Sequence, residues 1–537
     1  MSTATRSNGV FEAGDHLWSV ALRMGAADVA LNTARWWASI RWGTGSAAAV
    51  TAAALRFGGR TAVVDDAGSL DYRALDRAAT SVGARLRAAA MRPDGSLGAV
   101  GILCRNHRWF VTALVAAERA GCDTVLLSTA LPASNLAEVC ARDGIAAIVA
   151  DNEFADVIEQ AGTSAAIFMA DGDGKSSMAR IAAEGLPCSP PTRRPKLVLL
   201  TSGTTGAPKS AVRPLKTTRV GGTGMLRRVP YRLGDRYFIA SPLFHAWGLS
   251  QLVVGLATAS TIEMRRRFDA TEVGQLMCER RYDALVVVPS MLRRMLDLAI
   301  EPPQQQRPRM VLSSGNVLSG DLARAWMDRY GDCLYNVYGS TETAIGTIAD
   351  PADLRAAPGT VGRPPDGVML TILDDDGMPA PRGTAGWVHL ASTAQFLGYT
   401  DGSDGDRAGT LMATGDIGSL DADGRLHISG RANDMIVTGG ENVFPSGVEE
   451  VLGRHPGVEV AAVVGVDDPE FGQRVSAFVV ERSRRRVDPD ELRSWVAERL
   501  PSFMVPRDIH FVDALPMTTT GKVVRHRLAV LGQPDRV

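Results

Sequence analysis

Residues 197–209 read LVLLTSGTTGAPK: four apolar residues, then hydroxyls and glycines, then a proline and a lysine. An apolar run bounded by turn residues predicts a buried strand. Glycines let the backbone approach an anion closely, and Thr and Ser hydroxyls can donate to its oxygens. The stretch therefore predicts a strand that delivers a phosphate-binding loop, although the mononucleotide pattern GxxxxGK[ST] is absent.

Lysine is rare in this chain and occupies only five of its 58 cationic positions. Two of them, Lys209 and Lys522, lie in loops rich in glycine and threonine. An ammonium is a compact charge that can reach a single oxygen, whereas a guanidinium is a flat fork. We therefore predict that these two lysines contact phosphate, and that Lys175, Lys196 and Lys216 are solvated surface cations.

Length and composition indicate a large soluble protein. The 537 residues exceed what one hydrophobic core organises, so we expect two or more domains. A net charge of −1 with well-mixed signs indicates no nucleic-acid surface. Six cysteines without a CxxC pair indicate neither a disulfide framework nor a zinc site, and no secretory signal is recognisable, which favours the cytoplasm.

Residues 1–45 predict a helical N-terminal extension. From residue 14 to 45, apolar residues such as Trp36 and Trp37 are interspersed with arginines such as Arg35 and Arg41. Two interpretations stay open: a helix packed on its own domain, and an interfacial helix in weak peripheral contact with a membrane.

The pattern changes along the chain. From about residue 50 to 350, apolar runs at 100–104, 146–150, 197–200 and 285–288 alternate with helical stretches, which predicts parallel α/β layers. Residues 246–262 contain too many polar residues for a membrane span and predict a buried helix and strand. Beyond Asp350, turns around short runs at 368–373 and 386–391 predict a β-rich subdomain.

The C-terminal region predicts a small α+β domain. SGVE at residues 446–449 has the pattern of a capping box that opens a helix. Asp488, followed by Pro489 at the first helical position, predicts the start of another helix. Between these helices, the apolar runs 460–466 and 475–480 predict strands.

Four further segments complete an ordered set with TSGTTGAPK. They are YGSTET (338–343), TGD (414–416), GRANDMIVTGGENVFPSGVEE (430–450) and TTTGKVVR (518–525). The set resembles the core motifs of the adenylate-forming superfamily of acyl- and aryl-CoA synthetases, luciferases and peptide-synthetase adenylation domains, and looks closest to fatty-acyl-CoA synthetases. The resemblance implies an α/β protein: a large domain at 46–430 of layered α/β subdomains plus a β-rich subdomain, a hinge at 431–434, and a small mobile α+β domain at 435–537.

The resemblance also implies an activity that uses ATP, Mg²⁺ and coenzyme A. A carboxylate attacks the α-phosphate of ATP to give an acyl adenylate and pyrophosphate, and a thiol then displaces AMP. Mg²⁺ and fixed cations offset the repulsion between the two anions.

Roles for individual residues at the nucleotide follow from the same resemblance. The β- and γ-phosphates would be held by Thr201, Ser202, Gly203, Thr204, Thr205, Gly206 and Lys209. The adenine wall would be formed by Ser314, Gly315 and Asn316. Tyr338 would flank adenine, Thr341 would donate to the α-phosphate, and Glu342 would bind Mg²⁺. Asp416 would accept from both ribose hydroxyls, with Arg431 nearby.

The small domain would contribute two catalytic segments. Lys522 corresponds to a mobile lysine that bridges the carboxylate and the α-phosphate. The loop for the thioester step would contain Gly439, Gly440 and Glu441. Two departures stand out: Asn433 replaces the usual Asp or Lys of the hinge, and Ser210 follows Lys209 where glycine is commoner.

SPLFHAWG, at residues 241–248, resembles the segment that lines the acyl pocket. Its pocket residues would be Phe244, His245, Trp247 and Gly248. His245 would lie near the substrate carboxylate, with a core histidine as the rival interpretation. No charged residue except His245 occurs in 244–248 or 343–346, which favours a fatty acid over an amino acid. Alternatives are a fatty-acyl-AMP ligase that loads a separate carrier protein, and a catalytically silent nucleotide-binding homologue.

Overall fold

The computed structural model describes residues 22–201, 208–214, 222–298, 300–392, 394–482, 486–518 and 522–532. The helices in these ranges are α1 (Val29–Trp42), α2 (Ser46–Phe57), α3 (Tyr72–Ala90), α4 (Arg108–Ala120), α5 (Ala133–Arg142), α6 (Ala155–Ala161), α7 (Met178–Ala183), α8 (Gly222–Arg228), α9 (Ala246–Ala257), α10 (Ala270–Glu279), α11 (Pro289–Asp297), α12 (Gly320–Tyr330), α13 (Pro351–Ala356), α14 (Pro445–Gly453), α15 (Pro489–Ala497) and α16 (Arg525–Leu531).

The strands are β1 (Thr61–Asp65), β2 (Gly68–Asp71), β3 (Ala99–Leu103), β4 (Thr124–Leu126), β5 (Ile145–Ala150), β6 (Ala166–Met169), β7 (Lys196–Thr201), β8 (Lys209–Pro214), β9 (Arg236–Ile239), β10 (Thr261–Glu263), β11 (Ala284–Val287), β12 (Met310–Ser314), β13 (Leu334–Ser340), β14 (Ala344–Ala349), β15 (Val368–Leu373), β16 (Gly386–Ser392), β17 (Arg407–Ala408), β18 (Leu411–Leu420), β19 (Leu426–Arg431), β20 (Ile436–Thr438), β21 (Glu441–Val443), β22 (Val458–Asp468), β23 (Gly472–Glu481) and β24 (Asp508–Phe511).

Two α/β sheets form the main part of the large domain. One has the order β6-β5-β3-β4-β7-β8 and the other β14-β13-β12-β11-β9-β10-β1-β2. Central neighbours are parallel, whereas β7–β8, β13–β14 and β1–β2 are antiparallel pairs at the edges. One buried cluster joins side chains of both sheets with those of α2, α3 and α4. The predicted α/β layering is therefore confirmed, and the four apolar runs lie on β3, β5, β7 and β11.

The β-rich region is an antiparallel sheet of β15 to β19. Its strands include both runs that the sequence predicted beyond Asp350. Asp353 ties this sheet to the α/β core, because its buried carboxylate lies 2.7 Å from Arg363 Nη1 and 3.2 Å from Arg425 Nε.

The small domain contains strands β20 to β24 and helices α14 to α16. As predicted, Asp488 caps α15 and accepts from the N–H of Asp490. The capping-box prediction at Ser446 is wrong, because α14 begins one residue earlier at Pro445 and has no side-chain cap. Ser446 instead donates its hydroxyl to the Ser429 carbonyl, 2.7 Å away, across the boundary to β19.

Helix α1 packs on its own domain through one face. That face is formed by Leu31, Ala34, Ala38 and Trp42. The opposite face exposes Val29, Trp36, Trp37 and Ile40, which retain 51% to 77% of their accessible surface. Within the described ranges, no helix has the length and apolar character needed to cross a bilayer.

Candidate active site

The adenine-wall segment and the YGSTET motif meet at one edge of the larger α/β sheet. Strands β12 and β13 are parallel, and Ser314 pairs with Val337 next to Tyr338. Gly315 follows with φ +89°, a left-handed conformation that suits glycine and turns the chain away from the sheet. Ligands of α/β sheets bind at this carboxyl edge.

A polar triad joins the YGSTET motif to the β-rich sheet. The Tyr338 hydroxyl donates to Asp416 Oδ2 at 2.5 Å, and Arg431 Nε lies 3.3 Å from Asp416 Oδ1. Burial, and then the Asp416 charge, raises the pKa of the Tyr338 hydroxyl, so it stays a neutral donor. A carboxylate can accept about four hydrogen bonds, so Asp416 retains capacity for a ribose.

Internal hydrogen bonds fix the backbone that carries Thr341 and Glu342. The Ser340 hydroxyl accepts from the N–H groups of Glu342 and Thr343 at 3.2 and 3.1 Å. Arg213 Nε donates to the Thr341 carbonyl at 2.8 Å, from strand β8. The two predicted functional side chains are thus presented from a constrained turn.

The phosphate loop is anchored at both ends. Thr201 ends β7 and pairs with Lys209 at the start of β8, whereas the predicted residues 202–206 lie outside the described ranges. Ser210 is buried, and its hydroxyl donates to Asp143 Oδ2 at 2.6 Å and also contacts Arg142. The serine that replaces glycine here therefore ties the loop exit to the end of α5.

Lys522 lies within electrostatic range of the predicted nucleotide-site residues. Its backbone N–H donates to the Thr518 hydroxyl, and its carbonyl accepts from the Thr518 N–H. Although the side chain keeps an exposed surface, desolvation and then the Arg431 charge lower the pKa of its ammonium, while Asp416 and Glu342 act in the opposite direction. The lysine thus lies within electrostatic range of the triad and of the predicted metal ligand.

His245 lies close enough to Lys522 for the ammonium charge to lower the pKa of the imidazole. Burial, and then the Lys522 ammonium, lowers the pKa of His245 to about 4, so the imidazole is neutral at pH 7. The Phe244 ring is buried, with its centroid 4.3 Å from that of His245. Trp247 Nε1 donates to the Val287 carbonyl at 3.0 Å, which fixes the indole at the end of β11.

Gly248 lets the first turn of α9 lie closer to the Pro242 carbonyl than any residue with a Cβ atom could. A Cβ atom there would lie 2.4 Å from the Pro242 carbonyl oxygen. The four residues predicted for the acyl pocket lie just before α9 and in its first turn, and Phe244 and Trp247 pack in the buried cluster shared by the two α/β sheets.

The hinge position and the thioester loop lie in the connection to the small domain and beyond it. Asn433 is in a short 3₁₀ turn between β19 and β20. Gly439 and Gly440 have φ +58° and +86° and connect β20 to β21, which is typical of a type I′ hairpin. The Gly439 N–H donates to Phe471, and Glu441 is exposed, so this hairpin lies at the small domain's own surface.

Arg213 and Tyr399 were missed by the sequence analysis. Burial lowers the pKa of Arg213 to about 10, against the opposing effect of Glu342. The Tyr399 hydroxyl donates to Glu342 Oε1 at 2.8 Å, and Lys209 Nζ lies 5.2 Å from the centre of its ring. An arginine directly after the apolar pair Ala211–Val212 was the available signal for Arg213; no motif marks Tyr399.

Cys104, His107 and Asp151 form a buried cluster of potential metal ligands. Their atoms already bond one another and the backbone. His107 Nε2 lies 2.6 Å from Asp151 Oδ1, its Nδ1 accepts from the Trp109 N–H, and Cys104 Sγ donates to the Val149 carbonyl. This cluster is best explained as a structural link between β3, β5 and α4.

Comparisons with known proteins agree with this geometry. A family model described as AMP-binding enzyme matches residues 50–400, and one described as AMP-binding enzyme C-terminal domain matches 447–522. A feruloyl-CoA synthase from Amycolatopsis is 30% identical over 87% of this chain and 94% of its own. The fatty acid–[acyl-carrier-protein] ligase ScoC of Streptomyces coeruleorubidus is 28% identical over 87% and 92%. ATP-bound MatB from Rhodopseudomonas palustris superposes with a TM-score of 0.79 at 27% identity, over 88% and 95%.

Proposed function

Because the chain belongs to the AMP-binding enzymes, the adenylate-forming acid–thiol ligases, we propose that it joins a fatty acid to coenzyme A through an acyl adenylate. Its nucleotide substrate is ATP.

The placement of Lys522 carries this proposal. One ammonium lies within electrostatic range of His245 in the acyl segment and of Asp416 and Glu342 at the nucleotide. A cation between two anionic reactants offsets their repulsion and stabilises charge that develops on the α-phosphate. Adenylation of a carboxylate needs this arrangement at the point where acid and nucleotide meet.

The nucleotide-site residues suit the roles that the motifs imply. Asp416 retains acceptor capacity for a ribose, and Tyr338 and Arg431 hold its carboxylate in place. Glu342 is a hard oxygen ligand of the kind that Mg²⁺ prefers, and it would hold the ion that accompanies the ATP phosphates. When bound, Mg²⁺ neutralises charge on the phosphates. Thr341 would donate to the α-phosphate from the same turn.

An uncharged tail is the best fit for the acid. His245 is neutral at pH 7, so it supplies no cation for a second carboxylate or a sulfonate. Phe244 and Trp247 add aromatic surface beside it. Since one relative is named for feruloyl-CoA and another for fatty acids, the acid has to be measured.

Transfer to a thiol would require the small domain to turn about Asn433. The Gly439–Gly440 hairpin would then replace Lys522 at the site. Coenzyme A is our proposed acceptor. A carrier protein is the second candidate, because ScoC is named for that acceptor.

Two coupled assays test the proposal. Exchange of labelled pyrophosphate into ATP should depend on an added fatty acid, and mass spectrometry should find the acyl-CoA when CoA is supplied. Exchange without thioester, rescued by a phosphopantetheinyl carrier protein, would favour the second acceptor. Exchange with feruloyl-type acids only would refute the fatty-acid assignment, and no exchange with any acid would indicate a catalytically silent homologue.

We further propose that the exposed face of α1 contacts an anionic lipid surface. Indole rings favour the membrane interface, and Trp36 and Trp37 lie side by side on this face. Arg41 is exposed one turn after Trp37 on this helix, so its charge is complementary to anionic headgroups. Trp36→Ser with Trp37→Ser should abolish co-sedimentation with phosphatidylglycerol vesicles; unchanged binding, or a dimer that the same change dissociates, would refute the contact.

A further inference from the structure

The segment at residues 396–400 connects two parts of the nucleotide site. On one side, Leu397 donates its N–H to the Val212 carbonyl at 2.7 Å, and the Val212 N–H donates to Gly398 at 2.9 Å. On the other side, the Phe396 N–H donates to the Glu342 carbonyl at 2.9 Å. The segment therefore bridges β8, which leaves the phosphate loop, and the turn that carries the proposed metal ligand.

Tyr399 extends this bridge with its side chain. Its hydroxyl donates to Glu342 Oε1 at 2.8 Å, and the Lys209 ammonium lies 5.2 Å from the ring centre, within cation–π range. The ring packs edge-on against Phe396, with centroids 4.9 Å apart. One side chain thus contacts both the proposed metal carboxylate and the proposed phosphate lysine, through two chemically distinct parts.

We propose that Tyr399 is a positioning residue that sets the spacing between the Glu342 carboxylate and the Lys209 ammonium before MgATP binds. This inference rests on the proposed adenylation. The hydroxyl bond occupies Oε1, which orients the carboxylate and keeps the other oxygen for the ion. A side chain that is oriented in advance loses less entropy when its ligand binds.

Tyr399→Phe separates the two contacts. The substitution removes the hydrogen bond from the hydroxyl to Glu342, whereas the ring keeps its contacts with Lys209 and Phe396. Loss of a hydrogen bond to a charged group should weaken metal binding about tenfold. Mn²⁺ binding, followed by electron paramagnetic resonance with α,β-methylene-ATP, reports this without turnover. The KM for MgATP should rise in parallel, and the KM for the acid should not change.

A matched control removes a tyrosine hydroxyl elsewhere. Tyr330 donates to the Ile300 carbonyl at 2.9 Å, outside the site, so Tyr330→Phe should leave Mn²⁺ binding unchanged. If Tyr399→Phe lowers the melting temperature but leaves Mn²⁺ binding unchanged, Tyr399 is merely structural and the proposal fails.

A double-mutant cycle tests whether Tyr399 acts through Glu342. In a Glu342→Gln background, Tyr399→Phe should change Mn²⁺ binding by less than about twofold. An undiminished tenfold effect in that background would overturn the proposal. Pyrophosphate exchange by the wild-type protein tests the proposed reaction separately. If the wild type shows no exchange but its Mn²⁺ binding depends on Tyr399, the reaction is refuted and the role of Tyr399 is not.

Discussion

The two segments of the small domain that were predicted to be catalytic differ in where they lie. Lys522 lies within electrostatic range of His245 and of the predicted nucleotide-site residues Asp416 and Glu342. The Gly439–Gly440 hairpin contacts Phe471 of its own domain and has an exposed neighbour in Glu441. We interpret this difference as the arrangement for adenylation. We propose that the site accommodates only one of these two segments at a time.

Ion pairs hold this arrangement. Within the small domain, Arg525 donates from Nη1 to Glu449 Oε1 at 2.5 Å, and it lies 3.5 Å from Asp434 in the predicted hinge. Between the domains, Arg454 Nε lies 2.6 Å from Asp321 Oδ2. The half-exposed Arg454–Asp321 pair contributes at most about 1 kcal/mol, which is compatible with a domain that docks reversibly.

The largest effect should come from Lys522→Ala. Losing one electrostatic contact in a transition state costs about 10² to 10³ in rate, so adenylation measured by pyrophosphate exchange should fall by this factor. Reaction of supplied acyl adenylate with CoA should stay near the wild-type rate. If Lys522→Ala slowed both steps equally, Lys522 and the Gly439–Gly440 hairpin would not serve different half-reactions.

Gly440→Leu should show the opposite pattern. A Cβ atom at Gly440 meets no atom within 4 Å here, so adenylation should persist, whereas the added bulk should block thioester formation. The left-handed backbone adds about 1 to 2 kcal/mol of strain. Gly377→Leu is the matched control, since Gly377 also has positive φ and open surroundings; if it impairs thioester formation equally, strain and not position explains the effect.

Trp247→Ala should shift the preferred acid toward longer or bulkier chains. Because Trp247 belongs to the large domain, the shift should be the same in pyrophosphate exchange and in thioester formation. Loss of its bond to Val287 should also lower the melting temperature. A lower melting temperature with an unchanged chain-length profile would mean that the indole does not limit the pocket.

The smallest effect should come from Arg454→Ala, which removes the pair with Asp321 between the domains and a pair with Glu450 inside the small domain. A contribution of at most about 1 kcal/mol allows a change of up to about fivefold in the balance between the two half-reactions. Adenylation should weaken slightly and the thioester step should not. Arg493→Ala, which removes an exposed pair with Asp490 inside the small domain, should leave the balance unchanged.

Local patterns alone predicted much of the fold. Apolar runs placed β3, β5, β7 and β11, and the Asp488–Pro489 pair placed the start of α15. These features depend on neighbours in sequence, through strand alternation and helix capping. The error at Ser446 is also local: Pro445 began the helix one residue earlier, and the serine hydroxyl bonded to the preceding strand.

The sequence by itself determined the family, the α/β layering and the order of the chemical motifs, because each is encoded in a short run of residues. Only the tertiary structure decided how those runs meet. Arg213 contacts Thr341 across 128 residues of chain, and Tyr399 contacts Glu342 across 57. Besides burial, the Lys522 ammonium lowers the pKa of His245, although the two residues belong to different domains. Such contacts depend on packing between distant elements, which no local pattern of residues specifies.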